Sequence, residues 1–230
     1  MVKAFSGLFL LMLWPISGAS EVPAESEKSL EQKLEFKVFL NDREVGSHQY
    51  HLQQQGERLL VSSTMNLDFT VMLVKKIKYR HQANEVWQGD CLVSLTSQTE
   101  KLGKNISVNA VTDAQGLTVS RSHGSGSKDS GNQATETIEG CARGFAYWNP
   151  ALLEADFLLN AESGEYVPVE ITTTQSPTDN LSQMLIDGPQ ADVLVQYDAA
   201  GNWLSLESKL QIGGLIRYRR VAPNPSSKGQ

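Results

Sequence analysis

The sequence predicts an all-β protein built around one large, curved antiparallel sheet. Apolar residues alternate with polar ones from Leu34 through Phe36 to Val38, the period of two that marks a strand with one buried face. The same alternation returns in short segments along the chain, separated by turns and without the long crossovers that parallel strands need. A sheet of about ten or more strands rarely stays flat, so we expect a barrel or half barrel, or a split into a sandwich.

The first residues, 1–19, are typical of a cleavable secretory signal peptide. Lys3 precedes an apolar run from Phe5 to Trp14, and small residues follow up to Ala19, after which we expect cleavage. The run is about half the length of a membrane-spanning helix, although an uncleaved anchor is the alternative. No cysteine near the cut could accept a lipid. We therefore expect a periplasmic or secreted protein with no membrane span after cleavage.

The mature chain begins with a polar segment, 20–33, that is predicted to be flexible because it has few apolar side chains. A single antiparallel β domain is then predicted over 34–221. Its first hairpin turns at Asn41 and Asp42 and ends near Gly56. Odd-numbered apolar positions from Leu59 to Trp87 indicate long strands with one buried face. Further strands are predicted over 91–99, 104–111 and 117–120.

The middle of the chain is predicted to be irregular. The segment 121–139 is rich in glycine and serine and is expected to form a long flexible loop. One short helix is expected near 149–157, because Asn149 can cap it and Pro150 suits its first turn. Strands are then predicted over 166–173, 181–186, 193–197, 203–210 and 215–221. The last residues, 222–230, are polar and are predicted to be a disordered tail.

Two cysteines, Cys91 and Cys141, are the only ones in the sequence. In an oxidising compartment, an even number of cysteines without metal-ligand spacing suggests a disulfide. Two thiolates do not make a zinc site, and the alternative role for either cysteine is a catalytic thiol.

The charge balance argues against nucleic acid as a partner. Cleavage after residue 19 would remove one of the 20 basic residues and none of the 26 acidic ones, which leaves 19 against 26 and a net charge of −7. Nucleic-acid binding relies on clustered lysines and arginines, whereas here the basic residues alternate with apolar ones along strands.

No motif in the sequence establishes a catalytic site or a metal site, and no cofactor is predicted. His48 and His51 are three residues apart in a strand, on opposite faces, so they cannot bind one metal ion together. His81 and Glu85 share a face but lie about 13 Å apart along the strand. Aromatic residues and one histidine near predicted strand ends are candidates for ligand binding, with ordinary core packing as the alternative. These candidates are Tyr79, His81, Trp87, Tyr147 and Trp148.

Three short motifs carry a resemblance to a known family. They are FKVFLNDREVGSHQY at 36–50, YRH at 79–81 followed by Glu85 and Trp87, and YWN at 147–149. The chain resembles an uncharacterised family of exported bacterial proteins, a domain of unknown function. The resemblance implies a signal peptide and an extended antiparallel sheet, and it assigns no catalytic residue. The architecture is also similar to that of periplasmic lipoprotein carriers, whose incomplete barrel shelters acyl chains.

Three functional hypotheses follow from the sequence. The first is a non-catalytic periplasmic protein that binds an apolar, lipid-like or amphipathic ligand on its curved sheet, or that supports the envelope. The second is a hydrolase-type enzyme that uses His81, Glu85 or Cys91. The third is a scaffold that binds an envelope protein through a sheet edge.

Overall fold

The computed structural model describes residues 31–71, 75–125, 133–176, 179–210 and 213–222. The predicted signal peptide, nearly all of the segment predicted to be flexible and all but the first residue of the predicted tail lie outside these residues. No helix in the described ranges is long and apolar enough to cross a membrane.

The described chain is built almost entirely from β-strands. The strands in chain order are β1 Glu31–Leu40, β2 Arg43–Gln55, β3 Arg58–Val71, β4 Lys75–Gln88, β5 Cys91–Lys101, β6 Lys104–Asp113, β7 Gly116–Ser125, β8 Gln133–Ile138, β9 Phe157–Leu159, β10 Tyr166–Pro168, β11 Glu170–Gln175, β12 Ser182–Asp187, β13 Val193–Tyr197, β14 Trp203–Lys209 and β15 Leu215–Arg220. One short 3₁₀ helix spans Pro150–Leu153. The predicted all-β class is confirmed.

Thirteen strands form one antiparallel sheet in the order β11-β12-β13-β14-β15-β1-β2-β3-β4-β5-β6-β7-β8. The first strand pairs with the last, with Val38 opposite Tyr218, and so joins the two halves of the sheet. The sheet is not closed, since β8 and β11 are its edges. The predicted half barrel is the form that the sheet takes, and β9 and β10 make a separate hairpin.

The core lies on one face of this sheet, as the period of two requires. Leu34, Phe36 and Val38 are all buried, and their neighbours Glu35 and Lys37 are exposed. The buried positions of adjacent strands stand side by side in the pairing register, so they form a continuous apolar lining. We call this face the inner face.

Residues 139–169, which we call the inner segment, pack on this face. The segment is tied to β5 at its start, where the Leu92 amide donates to the Ala142 carbonyl at 2.9 Å. Its β9-β10 hairpin reaches the sheet at its tip: the Ser97 hydroxyl donates to the Ala161 carbonyl, and Arg121 Nη1 donates to the Gly164 carbonyl at 2.8 Å. The inner segment thus partly covers the curved sheet.

Four local predictions differ from the structure. The single strand predicted over 166–173 is two strands in different sheets, β10 and β11. The predicted loop 121–139 is wrong, because β7 continues to Ser125 and β8 occupies Gln133–Ile138. As an edge strand, β8 buries only Ile138, so its sequence lacks the alternation that would have revealed it. The predicted helix near 149–157 is a single 3₁₀ turn that Asn149 caps, because Phe157 already begins β9. Strand β1 starts at Glu31, three residues before the predicted domain start.

Candidate functional site

The middle of the inner face carries an unusual group of polar aromatic side chains around one carboxylate. We call it the interior cluster; its members are His48, Tyr50, Tyr79, His81, Tyr147, Glu162 and Tyr218. They come from β2, β4, β15 and the inner segment, so only the folded chain brings them together. The His48 ring lies 4.2 Å from the Tyr50 ring and 5.8 Å from the Tyr218 ring, centroid to centroid.

Trp203 forms an aromatic wall beside the interior cluster. Its ring centroid lies 5.6 Å from that of Tyr50, 5.5 Å from that of Tyr147 and 6.1 Å from that of Tyr218. Its closest ring neighbour is Phe36, at 4.0 Å. The Tyr197 hydroxyl donates to the Tyr147 carbonyl at 3.0 Å and fixes the inner segment against this wall.

Glu162 brings a negative charge to the interior cluster. It lies at the tip of the β9-β10 hairpin, and the Thr99 hydroxyl donates to its backbone carbonyl at 3.2 Å. Burial raises the pKa of Tyr147 and of Tyr218, and the Glu162 charge raises both further. Among the described residues Glu162 has no ion pair, and it is partly exposed.

Two buried polar groups of the interior cluster lack hydrogen-bond partners. Neither ring nitrogen of His48 has one in the described structure, although the side chain is only 5 % exposed. The Tyr79 hydroxyl also has none in good geometry, although the Glu162 carboxylate is near enough to raise the pKa of Tyr79, after burial. Buried polar groups are rarely left unpaired in folded proteins, so these atoms are available to a buried water molecule or to a ligand.

The two buried histidines of the interior cluster are held in the neutral form. Burial lowers the pKa of His48 from 6.5 to about 3, and the nearby His81 lowers it further. Burial also lowers the pKa of His81, against the opposing effect of Glu162. His81 Nδ1 is hydrogen-bonded to the Thr99 hydroxyl at 2.9 Å. Of these two rings, only that of His48 keeps both nitrogens free.

The inner face is not completely filled by its own side chains. Glu85 points inward between Val61 on β3 and Leu95 on β5, which are 3 % and 1 % exposed, yet Glu85 itself remains partly exposed. Tyr50 is partly exposed in the same way, between buried Leu34 and Ser63. These two inward-facing side chains are thus more accessible than their neighbours on the inner face.

A concavity of about 610 Å³ opens at the end of the half barrel where β1 turns into β2. Its apolar side is formed by the inner-face residues Leu40, Val45 and Phe69, and its polar rim contains Asp42 and Arg43. Phe69 pairs with Ile77 on β4. Tyr79 lies two residues further along β4 and therefore faces the same side of the sheet as Ile77. The concavity and the interior cluster therefore lie on the same face of the sheet.

Glu85 makes the stability of the fold depend on pH. Burial raises its pKa from 4.5 to about 7, and the hydrogen bond that Trp87 Nε1 donates at 2.7 Å opposes this effect. Between pH 4.5 and about 7, the Glu85 carboxyl is protonated in the folded state and ionised in the unfolded state. Stability is therefore lost as the pH rises through this range. Glu85→Gln is expected to be more stable than the wild type by about 3 kcal/mol at pH 8, and equal to it at pH 4.

Urea unfolding at pH 4, 6 and 8 measures this difference. The matched control is Glu57→Gln, at an exposed position in the turn between β2 and β3, and its stability should follow that of the wild type at every pH. A constant difference between Glu85→Gln and the wild type across the three pH values would contradict the raised pKa of Glu85.

The five residues proposed from the sequence as ligand-binding all lie on the inner side of the sheet, in two groups. Tyr79, His81 and Tyr147 belong to the interior cluster. Trp87 and Trp148 pack edge to face at 5.6 Å nearer the other end of β4, where Trp87 is 1 % exposed. Their role in binding stays a prediction.

Sequence reasoning missed several members of the site. His48 and Tyr50 are two residues apart in one strand and therefore share a face, a signal that was available. Tyr218 alternates with Arg217 and Arg219 in the same way. Glu162 gave no signal, because it lies in a short turn and reaches the cluster only through the docking of the inner segment.

The residues named for a hydrolase do not form a catalytic group in the described structure. Cys91 is bonded to Cys141, so the predicted disulfide is present and a free nucleophilic thiol at Cys91 is contradicted. His81 and Glu85 have separate hydrogen-bond partners, Thr99 and Trp87. No group of three or more histidine, cysteine or acidic side chains in the described ranges could hold a metal ion.

Comparisons with known proteins agree with this fold. A family model for a domain of unknown function, DUF6134, matches residues 36–221. The crystal structure of a β-barrel-like protein of another domain of unknown function, DUF1849, from Brucella abortus is similar with a TM-score of 0.55 at 11 % identity, over 82 % of this chain and 94 % of that one. Among curated proteins, none matches. The resemblance to an uncharacterised family is confirmed, and the structural likeness shows the fold alone.

Proposed function

This chain belongs to the DUF6134 family, and we propose that it is an exported, non-catalytic protein that binds an apolar or amphipathic ligand on the inner face of its half barrel. Export is supported by the signal-peptide pattern of residues 1–19. The oxidised pair Cys91 and Cys141 also suits a compartment outside the cytoplasm.

The observation that carries the proposal is the incomplete filling of the inner face. Glu85 and Tyr50 lie in the middle of a sheet whose adjacent positions are buried, yet both remain partly exposed. A ligand site of this kind is typically apolar and aromatic with a few polar groups, as in the combination of Trp203 with the interior cluster. The concavity beside Leu40 and Phe69 offers an entrance for an apolar chain.

The test is native mass spectrometry of the mature protein, purified from the periplasm without detergent, followed by extraction of anything bound. We expect a stoichiometric adduct of an apolar or amphipathic molecule. Glu85→Phe, which would fill the open space, should lose the adduct, whereas Glu57→Phe at an exposed turn should keep it. A bare protein mass, together with unchanged tryptophan fluorescence on titration with amphiphiles, would contradict the proposal.

A second candidate function is docking of an envelope protein along β8. This strand pairs only with β7 in the described sheet, and five of its six residues are exposed. Such an edge can accept a strand from another protein. If the partner rather than a small molecule copurifies, and Thr135→Pro on β8 abolishes its binding, the edge is the functional surface.

A further inference from the structure

We propose that the ligand of the interior cluster carries a protonated amine as its polar head, attached to an apolar chain. This inference rests on the proposed function, because it assigns the chemistry of the ligand that the inner face would take.

The first argument is charge. Glu162 lies at the hairpin tip, where its backbone carbonyl accepts from the Thr99 hydroxyl, and its carboxylate has no ion pair among the described residues. The inward-facing arginines are engaged elsewhere: Arg121 contacts Gly164 and Glu136, and Arg220 donates to the Trp203 carbonyl at 3.2 Å. A cationic head would supply the missing counter-charge, whereas an anionic one would add repulsion in a poorly solvated place.

The second argument is hydrogen bonding. Both His48 nitrogens and the Tyr79 hydroxyl are buried and without partners in the described structure. A neutral imidazole has one acceptor nitrogen, and a phenol oxygen accepts as well. A primary ammonium can donate to acceptors of this kind as well as to a carboxylate.

The third argument is the aromatic surround. The Trp203 ring lies 5.6 Å from that of Tyr50 and 6.1 Å from that of Tyr218, and the His48 ring lies 4.2 Å from that of Tyr50. Aromatic faces attract cations, most strongly where water is excluded. The apolar chain of the ligand would lie toward Leu40 and Phe69 at the open end of the half barrel. The charged residues of that end, Asp42 and Arg43, lie at its rim.

The experiment compares three probes with the same eight-carbon chain: octylamine, octanol and octanoate, titrated at pH 7 into the mature protein. The readouts are calorimetry and tryptophan fluorescence, since Trp87, Trp148 and Trp203 all lie on the inner side. We expect octylamine to bind at least about tenfold more tightly than octanol, and octanoate to bind most weakly.

Variants assign this preference to the interior cluster. Glu162→Gln should bind octylamine about tenfold more weakly and octanol with unchanged affinity. The matched control is Glu154→Gln on the same segment, whose exposed position should leave both affinities unchanged. Tyr79→Phe, which removes one oxygen atom, provides an independent test with less risk to folding, and it should weaken octylamine binding about threefold to tenfold.

The outcomes separate the two proposals. If octanol or octanoate binds as tightly as octylamine, or if Glu162→Gln and Tyr79→Phe both leave octylamine binding unchanged, the amine head is wrong and the binding function stands. If none of the three probes binds, both the amine head and the binding function are overturned.

Discussion

Replacing Trp203 with alanine is expected to lower the free energy of unfolding by about 3–5 kcal/mol. The side chain is 1 % exposed and its ring contacts Phe36, Tyr50, Tyr147 and Tyr218. These neighbours come from three strands and from the inner segment, so one cavity would weaken the packing between several parts of the fold. The variant would also lose the hydrogen bond from Trp203 Nε1 to the Ser205 carbonyl, at 3.0 Å.

Urea unfolding followed by far-ultraviolet circular dichroism measures this loss. Trp203→Phe keeps an aromatic ring in the wall and should lose less than half as much stability. Leu185→Ala on β12, where the leucine is 43 % exposed, is the surface control and should change stability by no more than about 0.5 kcal/mol. A loss below about 1 kcal/mol for Trp203→Ala would mean that the aromatic wall does not hold the inner segment.

The overall fold could be predicted because its main determinant is local. Alternation along Leu34, Phe36 and Val38 depends only on neighbouring residues, and the buried face of β1 follows it. The bounds of β13, Val193–Tyr197, were predicted for the same reason. Edge strand β8 could not be recognised, because a strand without a buried face has no reason to alternate.

The candidate site could be predicted only in part, because its geometry depends on tertiary packing. Tyr79, His81 and Tyr147 are among the ligand-binding candidates that the sequence predicts. Their common neighbour Glu162 lies in a turn whose sequence resembles any exposed turn, and its position depends on hydrogen bonds from Ser97 and Thr99 to the hairpin tip. Pairing of this kind joins residues more than sixty positions apart.

The polar members of the interior cluster work against stability, which is a common property of binding sites. His48 is buried with two unpaired nitrogens, and a phenylalanine of similar shape would avoid that desolvation cost. Residues that disfavour the fold at their own position, and gain no compensating contact there, are typical of functional sites. His48 and Tyr79 are the residues whose unpaired atoms would bind the head of a ligand.

The largest covalent contribution to stability is expected from the bond between Cys91 and Cys141. It closes a loop with a sequence separation of 50, so the chain-entropy model gives a stabilisation of about 4 kcal/mol. The bond also joins the start of β5 to the start of the inner segment, next to the hydrogen bond between Leu92 and Ala142. The double variant Cys91→Ala, Cys141→Ala should therefore unfold at a temperature lower by about 8–16 °C.

Reductant provides the matched control for this pair. Cys141 is exposed, so dithiothreitol should reach the bond and lower the stability of the wild type to that of the double variant, while leaving the double variant unchanged. Because the inner segment carries Tyr147 and Glu162, loss of the bond should also weaken the binding of octylamine in the folded protein. Equal stability of the wild type and the double variant under oxidising conditions would show that packing of the inner segment, through contacts such as that of Tyr147 with Trp203, is sufficient without the covalent link.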